Sequence, residues 1–517
     1  MKGYEILIER NQATLLDDIK ISLTSTPVVN ENEKLSVLKN ETPATLGELV
    51  LRQYLIERLI YNLSFNKAIL YSIAQNKPFI YPLPNKWQNE IIKHGIKISK
   101  ILCTLLFIKK IVNFGLHALA EFVIQLSRSL NHSNRIKYND LGEYVFFDRL
   151  TENNLPKYSG KFSNGIISSY FKSFPKPKEL NTICHTVYGK SDLVLDGVPV
   201  KYIPSPIPPI LNKWKLALIF FEIIGWLFFA LFDLIRLKWA AIILMREKIK
   251  SIFYRNSEIK TRGRNYFFHN SHWIFRPLWT YFAEGDGRSI YFYFYSTNCE
   301  HFKRNGTYPN EYMNSWPITT WNNFLVWDKY QADFIDRVIK SEHETKIIGT
   351  ISFSFSEKTF ETVETKIVAV FDVQPLREAV YKILGISFNY YIPPITNKFL
   401  DDIIETALSF GYVVVVKRKR EIGKYLHWRY SKNIKKYENF KDCIFLDPAI
   451  PAEEIIGKSA LVISMPFTST ALVAKSEGKK SIYYDPSDKI DKSDRAGHGI
   501  MLLSGKKELE NWFQVIS

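Results

Sequence analysis

Short apolar runs alternate with amphipathic stretches through the last third of the chain. Between two such runs, Lys398–Phe410 carries apolar residues at helical spacing and is closed by Gly411. Alternating strands and helices predict right-handed crossovers and therefore a parallel α/β sheet. Runs rich in Val, Ile and aromatic residues are predicted to be its strands: Lys366–Asp372, Tyr412–Lys417, Cys443–Leu446, Leu461–Met465 and Ser481–Tyr484.

The first two thirds of the chain have a less regular pattern. A short strand-like start and a polar stretch precede helical character from about Leu46 to Ser129, and a helix is predicted at Asp328–Val338. Four apolar and aromatic runs are predicted to be strands: Tyr144–Asp148, Asn265–Phe268, Ser289–Ser296 and Asn323–Trp327. We predict three parts: an N-terminal extension (1–60), an N-terminal domain (61–350) and a C-terminal Rossmann-like domain (351–517).

Two long apolar stretches bear on the relation to membranes. Leu216–Ile235 is about long enough to cross a bilayer, but Glu222 and Asp233 interrupt it and basic residues follow. Tryptophans and a basic flank favour a helix, residues 212–250, that lies in the inner leaflet; a long buried helix is the alternative. The stretch Ile101–Leu126 is broken by charges and is predicted to be amphipathic.

Composition agrees with a large cytoplasmic enzyme. The chain has 517 residues and a net charge of +17, and its four cysteines lack the spacing of a zinc site or disulfide framework. No nucleic-acid-binding motif explains the charge, so a membrane surface is the favoured partner and nucleic acid is not. Without an Asp-x-Asp, a fitting GxGxxG or a Walker motif, we predict no metal and no cofactor.

Polar residues follow several predicted strands, and the carboxyl ends of parallel strands meet at one edge of a sheet, where ligands bind. The hydroxyl-rich loop after Leu461–Met465 leads into a helix, whose N-terminal N–H groups suit a phosphate; a helix cap is the alternative. The run Lys417-Arg-Lys-Arg420 suits a phosphate or a sugar carboxylate, or is a solvated surface.

The segment Ser464-Met-Pro-Phe-Thr-Ser-Thr470, with Lys475 and the following Gly-Lys-Lys-Ser-Ile-Tyr-Tyr-Asp, resembles the signature of the PFTS motif polysaccharide-biosynthesis proteins. These are bacterial relatives of GT-B glycosyltransferases, and the resemblance extends from about Asn265 to the C-terminus. It implies a GT-B-like α/β fold in which two Rossmann-like domains face each other across a cleft. The C-terminal domain then holds a nucleotide-sugar donor and the N-terminal domain the acceptor.

The resemblance and the strand ends together define the predicted site. The donor is expected to be bound by Gln374, Lys417, Lys419, Arg420, Pro466, Phe467, Thr468, Ser469, Thr470 and Asp485. Inverting transfer needs a base for the acceptor hydroxyl, and the candidates are His269, His272 and Asp372, with Glu300 weaker. The alternative roles are simple hydrogen bonding for the histidines and capping of a turn for Asp372.

The predicted function is a glycosyltransferase of surface polysaccharide synthesis (capsule, O-antigen or lipopolysaccharide type). It would use a lipid-linked or oligosaccharide acceptor as a peripheral or monotopic protein on the inner face of the cytoplasmic membrane. Two separated cationic or dipolar features favour a CMP-linked acidic sugar as donor, although Lys417-Arg-Lys-Arg420 replaces the Lys-x-His-Pro of several such transferases. The alternatives are a sugar-nucleotide epimerase or hydrolase on the same scaffold and a non-catalytic membrane-associated assembly protein.

Overall fold

A computed structural model of the protein contains two parallel-rich sheets, one after the other along the chain. The structure describes residues 5–7, 10, 14–29, 35–38, 46–155, 165–174, 180–188, 193–269, 275–297, 300, 302–303, 306–308, 313–351, 359–361, 366–377, 380, 390–418 and 423–516. The strands of the first sheet all fall within the predicted N-terminal domain, and those of the second fall within the predicted C-terminal domain.

The first sheet has the order β3-β4-β2-β1-β5-β6-β7-β8, and its neighbouring strands are parallel except for the β3–β4 hairpin. Four of its strands were predicted, within three residues at their ends. The other four, β2, β3, β4 and β8, were missed; of these, the edge strand β8 is mostly exposed and carries no apolar pattern. The strands are β1 Glu143–Phe147, β2 Leu180–His185, β3 Leu193–Leu195, β4 Val198–Tyr202, β5 Asn265–His269, β6 Ser289–Tyr293, β7 Asn323–Val326 and β8 Glu344–Ile347.

The second sheet is parallel throughout, with the order β11-β10-β9-β12-β13-β14. Numbered within the sheet, this is the order 3-2-1-4-5-6 of the Rossmann fold, which reverses between β9 and β12. Five of the strands confirm predicted ones. The strands are β9 Ile367–Phe371, β10 Val413–Lys417, β11 Cys443–Leu446, β12 Leu461–Ser464, β13 Lys480–Asp485 and β14 Met501–Ser504.

Burial on both faces explains the uninterrupted apolar strands of this sheet. In β9, Val368 and Val370 pack in one core with Phe399 and Ile403, whereas Ala369 packs in the other core, which the first sheet shares. Each residue of β9 is therefore buried whichever way it points, as expected for a parallel sheet covered by helices.

Helices cover both sheets and form most of the chain before β1. The described helices are α1 Leu15–Ser25, α2 Gly47–Leu55, α3 Leu63–Gln75, α4 Asn85–Lys93, α5 Lys100–Leu130, α6 His132–Asn139, α7 Ile166–Ser173, α8 Lys213–Ile235, α9 Ala240–Asn256, α10 Leu278–Gly285, α11 Lys329–Val338, α12 Pro393–Ser409, α13 Trp428–Ile434, α14 Ala452–Lys458, α15 Thr470–Ser476 and α16 Gly505–Ile516. A π-helical turn, Ile56–Ile60, continues α2. The α/β class with two Rossmann-like domains, a helical N-terminal part and an inserted apolar helix is confirmed.

The N-terminal helices pack into the core of the first domain. Leu16 and Ile19 of α1 belong to the same apolar core as strands β1 and β5. The Gln53 side chain donates to the Thr320 hydroxyl at 3.2 Å, which joins α2 to the segment before β7. The predicted strand-like start is wrong where the structure describes it, because residues 5–7 are helical.

Two long helices present apolar residues to the outside, and both pack against α9. Helix α8 buries only Leu216, Ile219, Ile223 and Ala230, so the alternative of a buried helix is wrong. Helix α5 has one buried face, as predicted for an amphipathic helix, but its outer face is also apolar. We call the exposed side chains of the two helices the apolar two-helix surface: Ile101, Leu105, Ile108, Val112, Leu116, Leu119 and Val123 of α5, and Trp214, Leu218, Phe221, Phe228, Leu231, Phe232 and Ile235 of α8.

The two helices touch each other, because the rings of Phe122 and Phe220 lie 5.7 Å apart. Among the described helices, both are long and apolar enough to cross a membrane by length and composition. The two helices therefore meet at this aromatic contact.

Candidate functional site

The predicted donor residues collect at the switch point of the second sheet. Ser464 ends β12 opposite Phe371, the last residue of β9, and the Met465 N–H donates to the Phe371 carbonyl at 2.8 Å. Asp372 and the loop that begins at Met465 therefore leave the sheet side by side. In a sheet of this order, the crevice at the switch point is the place where ligands bind.

Asp372 is buried at this point. Its Oδ2 accepts a hydrogen bond from the Tyr430 hydroxyl, and its Oδ1 has no hydrogen-bond partner among the described residues. Burial raises the pKa of Asp372 to about 6, although the Tyr430 bond and the charges of Arg418 and Lys417 oppose the shift. The carboxylate thus retains an oxygen that can accept a hydrogen bond from a ligand.

Lys417 ends β10 beside Asp372. Burial lowers its pKa below the ordinary value, while nearby acids oppose the shift. Its Nζ donates to the carbonyls of Arg418, at 2.7 Å, and Pro448, at 2.9 Å. An ammonium group has three donors, so one remains for a ligand. The neighbouring Arg418 Nε is buried without a partner among the described residues.

The loop Pro466–Ser469, which we call the PFTS loop, is held from several sides. Phe467 has the left-handed φ of +64°, which is rare for a bulky residue. Its buried ring meets the Phe302 ring edge-on at 4.7 Å. The Pro466 carbonyl accepts from the Tyr391 hydroxyl at 2.6 Å, and the Thr468 carbonyl accepts from the Tyr483 hydroxyl at 3.0 Å.

The hydroxyl groups of this region bond to each other and to the first domain. Thr470 Oγ1 lies 2.9 Å from Ser464 Oγ and 3.2 Å from Thr468 Oγ1. Ser469 precedes α15, but its side chain makes no capping hydrogen bond. Instead, Ser469 Oγ accepts from the N–H of Thr297, at 3.3 Å, beyond β6 of the first sheet. The helix-cap alternative therefore does not describe the Ser469 side chain.

Asp485 and Gln374 are buried near the carboxyl ends of β13 and β9. The Asp485 carboxylate accepts hydrogen bonds from Tyr390 Oη, from the N–H and hydroxyl of Ser487, and from the N–H groups of Lys489 and Ile490. Burial opposes ionisation, but these hydrogen bonds lower the pKa of Asp485 below its ordinary value. The carboxylate organises its own loop, and its donor contact stays a prediction, as does that of Gln374.

A second set of contacts joins the segment before β14 to the segments that follow β6 and β7 of the first sheet. The buried His498 has the left-handed φ of +51°, and its Nδ1 lies 2.8 Å from Asp328 Oδ2, just beyond β7. Gly499 also has a positive φ, and a Cβ there would lie 2.7 Å from the Tyr330 hydroxyl. Glu300, the weaker base candidate, pairs with Arg337 at 2.5 Å and Arg495 at 3.2 Å. The two Rossmann-like domains thus face each other, as the GT-B-like prediction requires.

The switch point of the first sheet, between β1 and β5, holds His269. Burial lowers the pKa of His269 below its ordinary value, although a hydrogen bond to the Arg149 backbone opposes the shift. The ring lies 5.6 Å from the Tyr293 ring and 6.0 Å from the Tyr295 ring. The predicted residues His272, Lys419 and Arg420 lie outside the described residues.

Sequence reasoning missed several residues that the structure places at these edges. Asp148 was recognised only as the end of a strand, although the rule that selected Asp372 applies equally to it. Burial raises the pKa of Asp148 to about 6, with Arg149 and Lys250 opposing. Tyr430 and His498 had no recognisable signal, because their roles depend on partners distant in sequence. No group of three or more His, Cys, Asp or Glu within the described ranges is arranged to hold a metal ion.

Comparisons with known proteins identify a family. The model of a family described as "Polysaccharide biosynthesis PFTS motif protein" matches residues 218–513. No curated protein sequence matches the chain. The wall teichoic acid polymerase TagF is a similar solved structure, with 12% identity, a TM-score of 0.36, and coverage of 78% of this chain and 89% of TagF.

Two further solved structures resemble the chain at a similar level. A UDP-GlcNAc 2-epimerase from Methanocaldococcus jannaschii has 9% identity and a TM-score of 0.34, with coverage of 72% of this chain and 91% of the epimerase. A glycosyltransferase of kitacinnamycin has 8% identity and a TM-score of 0.33, with coverage of 72% and 90%. Scores this low do not assign an activity.

The raised pKa of Asp372 predicts a pH-dependent stability. A carboxyl whose pKa rises from 3.8 to about 6 on folding stabilises the fold below pH 3.8, and that contribution is lost as the pH rises through 6. Two pKa units correspond to about 3 kcal/mol. We expect Asp372→Asn to reduce the fall of the melting temperature between pH 5 and pH 8 by at least about 2 °C, measured by calorimetry. The exposed Asp140→Asn is the control, and an equal fall in wild type and Asp372→Asn would contradict the prediction.

The His498–Asp328 contact predicts a selective loosening of the interdomain face. A hydrogen bond to a charged group contributes about 1.5–3 kcal/mol. His498→Ala should therefore lower the melting temperature and speed hydrogen exchange in the PFTS loop. His343→Ala is the matched control, because His343 pairs with Asp336 at 3.1 Å within the first domain. Identical exchange in the two variants would show that the contact does not hold the domains together.

Proposed function

We propose that this chain, which belongs to the polysaccharide biosynthesis PFTS motif family, is a glycosyltransferase that moves a sugar from a nucleotide-sugar donor to a surface-glycan acceptor. The observation that carries the proposal is the switch point of the second sheet. There, the PFTS loop and Asp372 leave adjacent strands, and Asp372 Oδ1 has no hydrogen-bond partner in the part of the chain that the structure describes. This is where a sheet of Rossmann order binds nucleotides.

The donor is proposed to bind across β9. Lys417 and Arg418 lie at the end of β10, on one side of Asp372, and the PFTS loop lies at the end of β12, on the other. A donor with two separated anions fits two separated features, so a CMP-linked acidic sugar is preferred over a UDP-hexose. Asp372 would accept a hydrogen bond from a sugar or ribose hydroxyl, and the first domain would hold the acceptor. We place the catalytic base for the acceptor hydroxyl at the carboxyl edge of the first sheet, which carries His269.

The apolar two-helix surface supports work at a membrane. Among the acids that interrupt the apolar sequence of α8, Glu222 pairs with Arg255 of α9 at 2.5 Å. Pairing reduces the cost of taking this charge out of water. Exposed basic residues lie at both ends of α8: Lys213 and Lys215 in its first turn, and Arg236 and Lys238 just after its last residue. Apolar residues flanked by cations fit the acyl boundary of an anionic leaflet, where a lipid-linked acceptor would be found.

Nucleotide binding tests the enzyme. We expect CMP to raise the melting temperature of the full-length protein more than UDP or GDP at equal concentration. Asp372→Ala should weaken the affinity at least about tenfold, because a hydrogen bond to a charged group contributes 1.5–3 kcal/mol. Asp140→Ala is the control. Stabilisation by UDP but not by CMP would exclude the acidic-sugar donor, and binding of none of the three would exclude the transferase.

Vesicle sedimentation tests the membrane surface. Phe221 and Phe228 are each 69% exposed, and burying one such side chain contributes about 1.5–3 kcal/mol. The variant with both changed to Asp should therefore lose most binding to vesicles of anionic phospholipid while keeping its fold. Val515→Asp, at an exposed position of α16, is the control. Persistent monomeric solubility of the wild type without binding to anionic vesicles would contradict the proposal, and self-association would assign the surface to a second copy.

A further inference from the structure

The first sheet has its own switch point, between β1 and β5, where the strand order reverses. Phe147 pairs with Phe267, and the Asp148 N–H donates to the Phe267 carbonyl at 2.8 Å. Asp148 and His269 therefore end neighbouring strands at one edge. Asp148 directly follows β1, and Asp372 directly follows β9. Each of these strands lies next to the reversal of strand order in its sheet, so the two aspartates occupy equivalent positions.

The Asp148 carboxylate has spare acceptor capacity. It is 18% exposed, and its ion pair with Arg149 joins Oδ2 to Nε at 3.5 Å. No described residue donates a hydrogen bond to its side chain. Asp485, by contrast, accepts five hydrogen bonds from its own chain. A partly exposed carboxylate with so little internal bonding is suited to act on a group that arrives from outside.

The backbone beside Asp148 is strained. Arg149 has a φ of +48°, in the left-handed region, which costs an L-residue of this size about 1–2 kcal/mol. Strain of this kind persists where surrounding contacts impose it and is concentrated at functional sites. Here the His269 ring supplies such a contact through its hydrogen bond to the Arg149 backbone.

The edge that carries Asp148 is the edge that faces the donor domain. The Thr297 N–H, in the loop after β6, donates to Ser469 of the PFTS loop at 3.3 Å. In the order β1-β5-β6, β1 lies two strands from β6, or roughly 10 Å along the edge. The half-exposed Tyr295, beyond β6, lies near His269 in this interval. Asp148 is thus set back from the PFTS loop on the acceptor side.

We propose that Asp148 accepts the proton of the acceptor hydroxyl, an inference that rests on the proposed transferase function. The acceptor oxygen forms a bond to the anomeric carbon of the donor sugar as its O–H bond breaks, and the proton passes to a carboxylate oxygen of Asp148. The bond between the anomeric carbon and the donor phosphate oxygen breaks, and the phosphate leaves with the electron pair. His269 is then a positioning residue that holds the Arg149 turn.

The test separates catalysis from donor binding. Full-length Asp148→Asn and His269→Asn are expressed in a gene-deleted strain of the source organism, and the surface polysaccharide is quantified. Stabilisation of the purified variants by CMP, UDP and GDP is measured in parallel. Removing a general base costs about 10²–10⁴ in rate. We expect Asp148→Asn to restore less than a tenth of the wild-type polysaccharide while keeping wild-type nucleotide stabilisation.

The controls define what overturns the proposal. Asp140→Asn, beyond the opposite end of β1, should match wild type, and Asp148→Glu should restore more polysaccharide than Asp148→Asn. If Asp148→Asn restores the wild-type amount of polysaccharide, the assignment of Asp148 is overturned. If, in addition, His269→Asn restores no polysaccharide, His269 is the base instead. Loss of nucleotide stabilisation in Asp148→Asn also overturns it. A wild-type protein that no nucleotide stabilises refutes instead the proposed function.

Discussion

Parallel strand order is the constraint on which the rest of this structure depends. In a parallel sheet, the carboxyl ends of all strands lie at one edge. Where the strand order reverses, the helices that follow the two neighbouring strands diverge and leave a crevice at that edge. Each sheet has such a reversal, and each reversal carries an aspartate, Asp148 or Asp372. The contact of Ser469 with Thr297 joins the two edges, and the contact of His498 with Asp328 holds the two domains together beside them. One rule of chain topology therefore brings both candidate sites to one interdomain face.

The two aspartates lower the stability of the fold for the same reason that makes them chemically useful. Burial raises the pKa of each carboxyl to about 6, so each costs free energy when it ionises near neutral pH. Asp485 shows that this chain can also bury an aspartate and lower its pKa by hydrogen bonds. The difference lies in the local donors, since N–H groups of the loop after β13 turn inwards to Asp485. Carboxyls left without such donors are suited to a ligand.

The apolar two-helix surface follows a different logic. Helices α5 and α8 each bury one face against α9. The apolar residues of these buried faces belong to the folded core. The remaining apolar positions face outwards in numbers that a helix of a soluble domain does not normally show. The pairing of Glu222 with Arg255 removes an isolated charge from this part of the molecule. These features are the ones that support the proposed contact with a membrane.

The sequence by itself determined many of the elements and the position of the hydroxyl-rich loop that follows one of them. Uninterrupted Val and Ile runs identified β9, β10 and β12 because both faces of these strands are buried, and the hydroxyl-rich motif marked the PFTS loop. The sequence pattern revealed neither β2, β3, β4, β8 and β14 nor the order of the strands. Strand β8 is mostly exposed and has no apolar pattern, and the order of the strands is set by packing. Only the tertiary structure showed that Tyr430 bonds Asp372, that His498 reaches Asp328, and that Asp148 lies on the edge facing the PFTS loop. The first two of these contacts join residues 58 and 170 positions apart, and local sequence carries no signal for them.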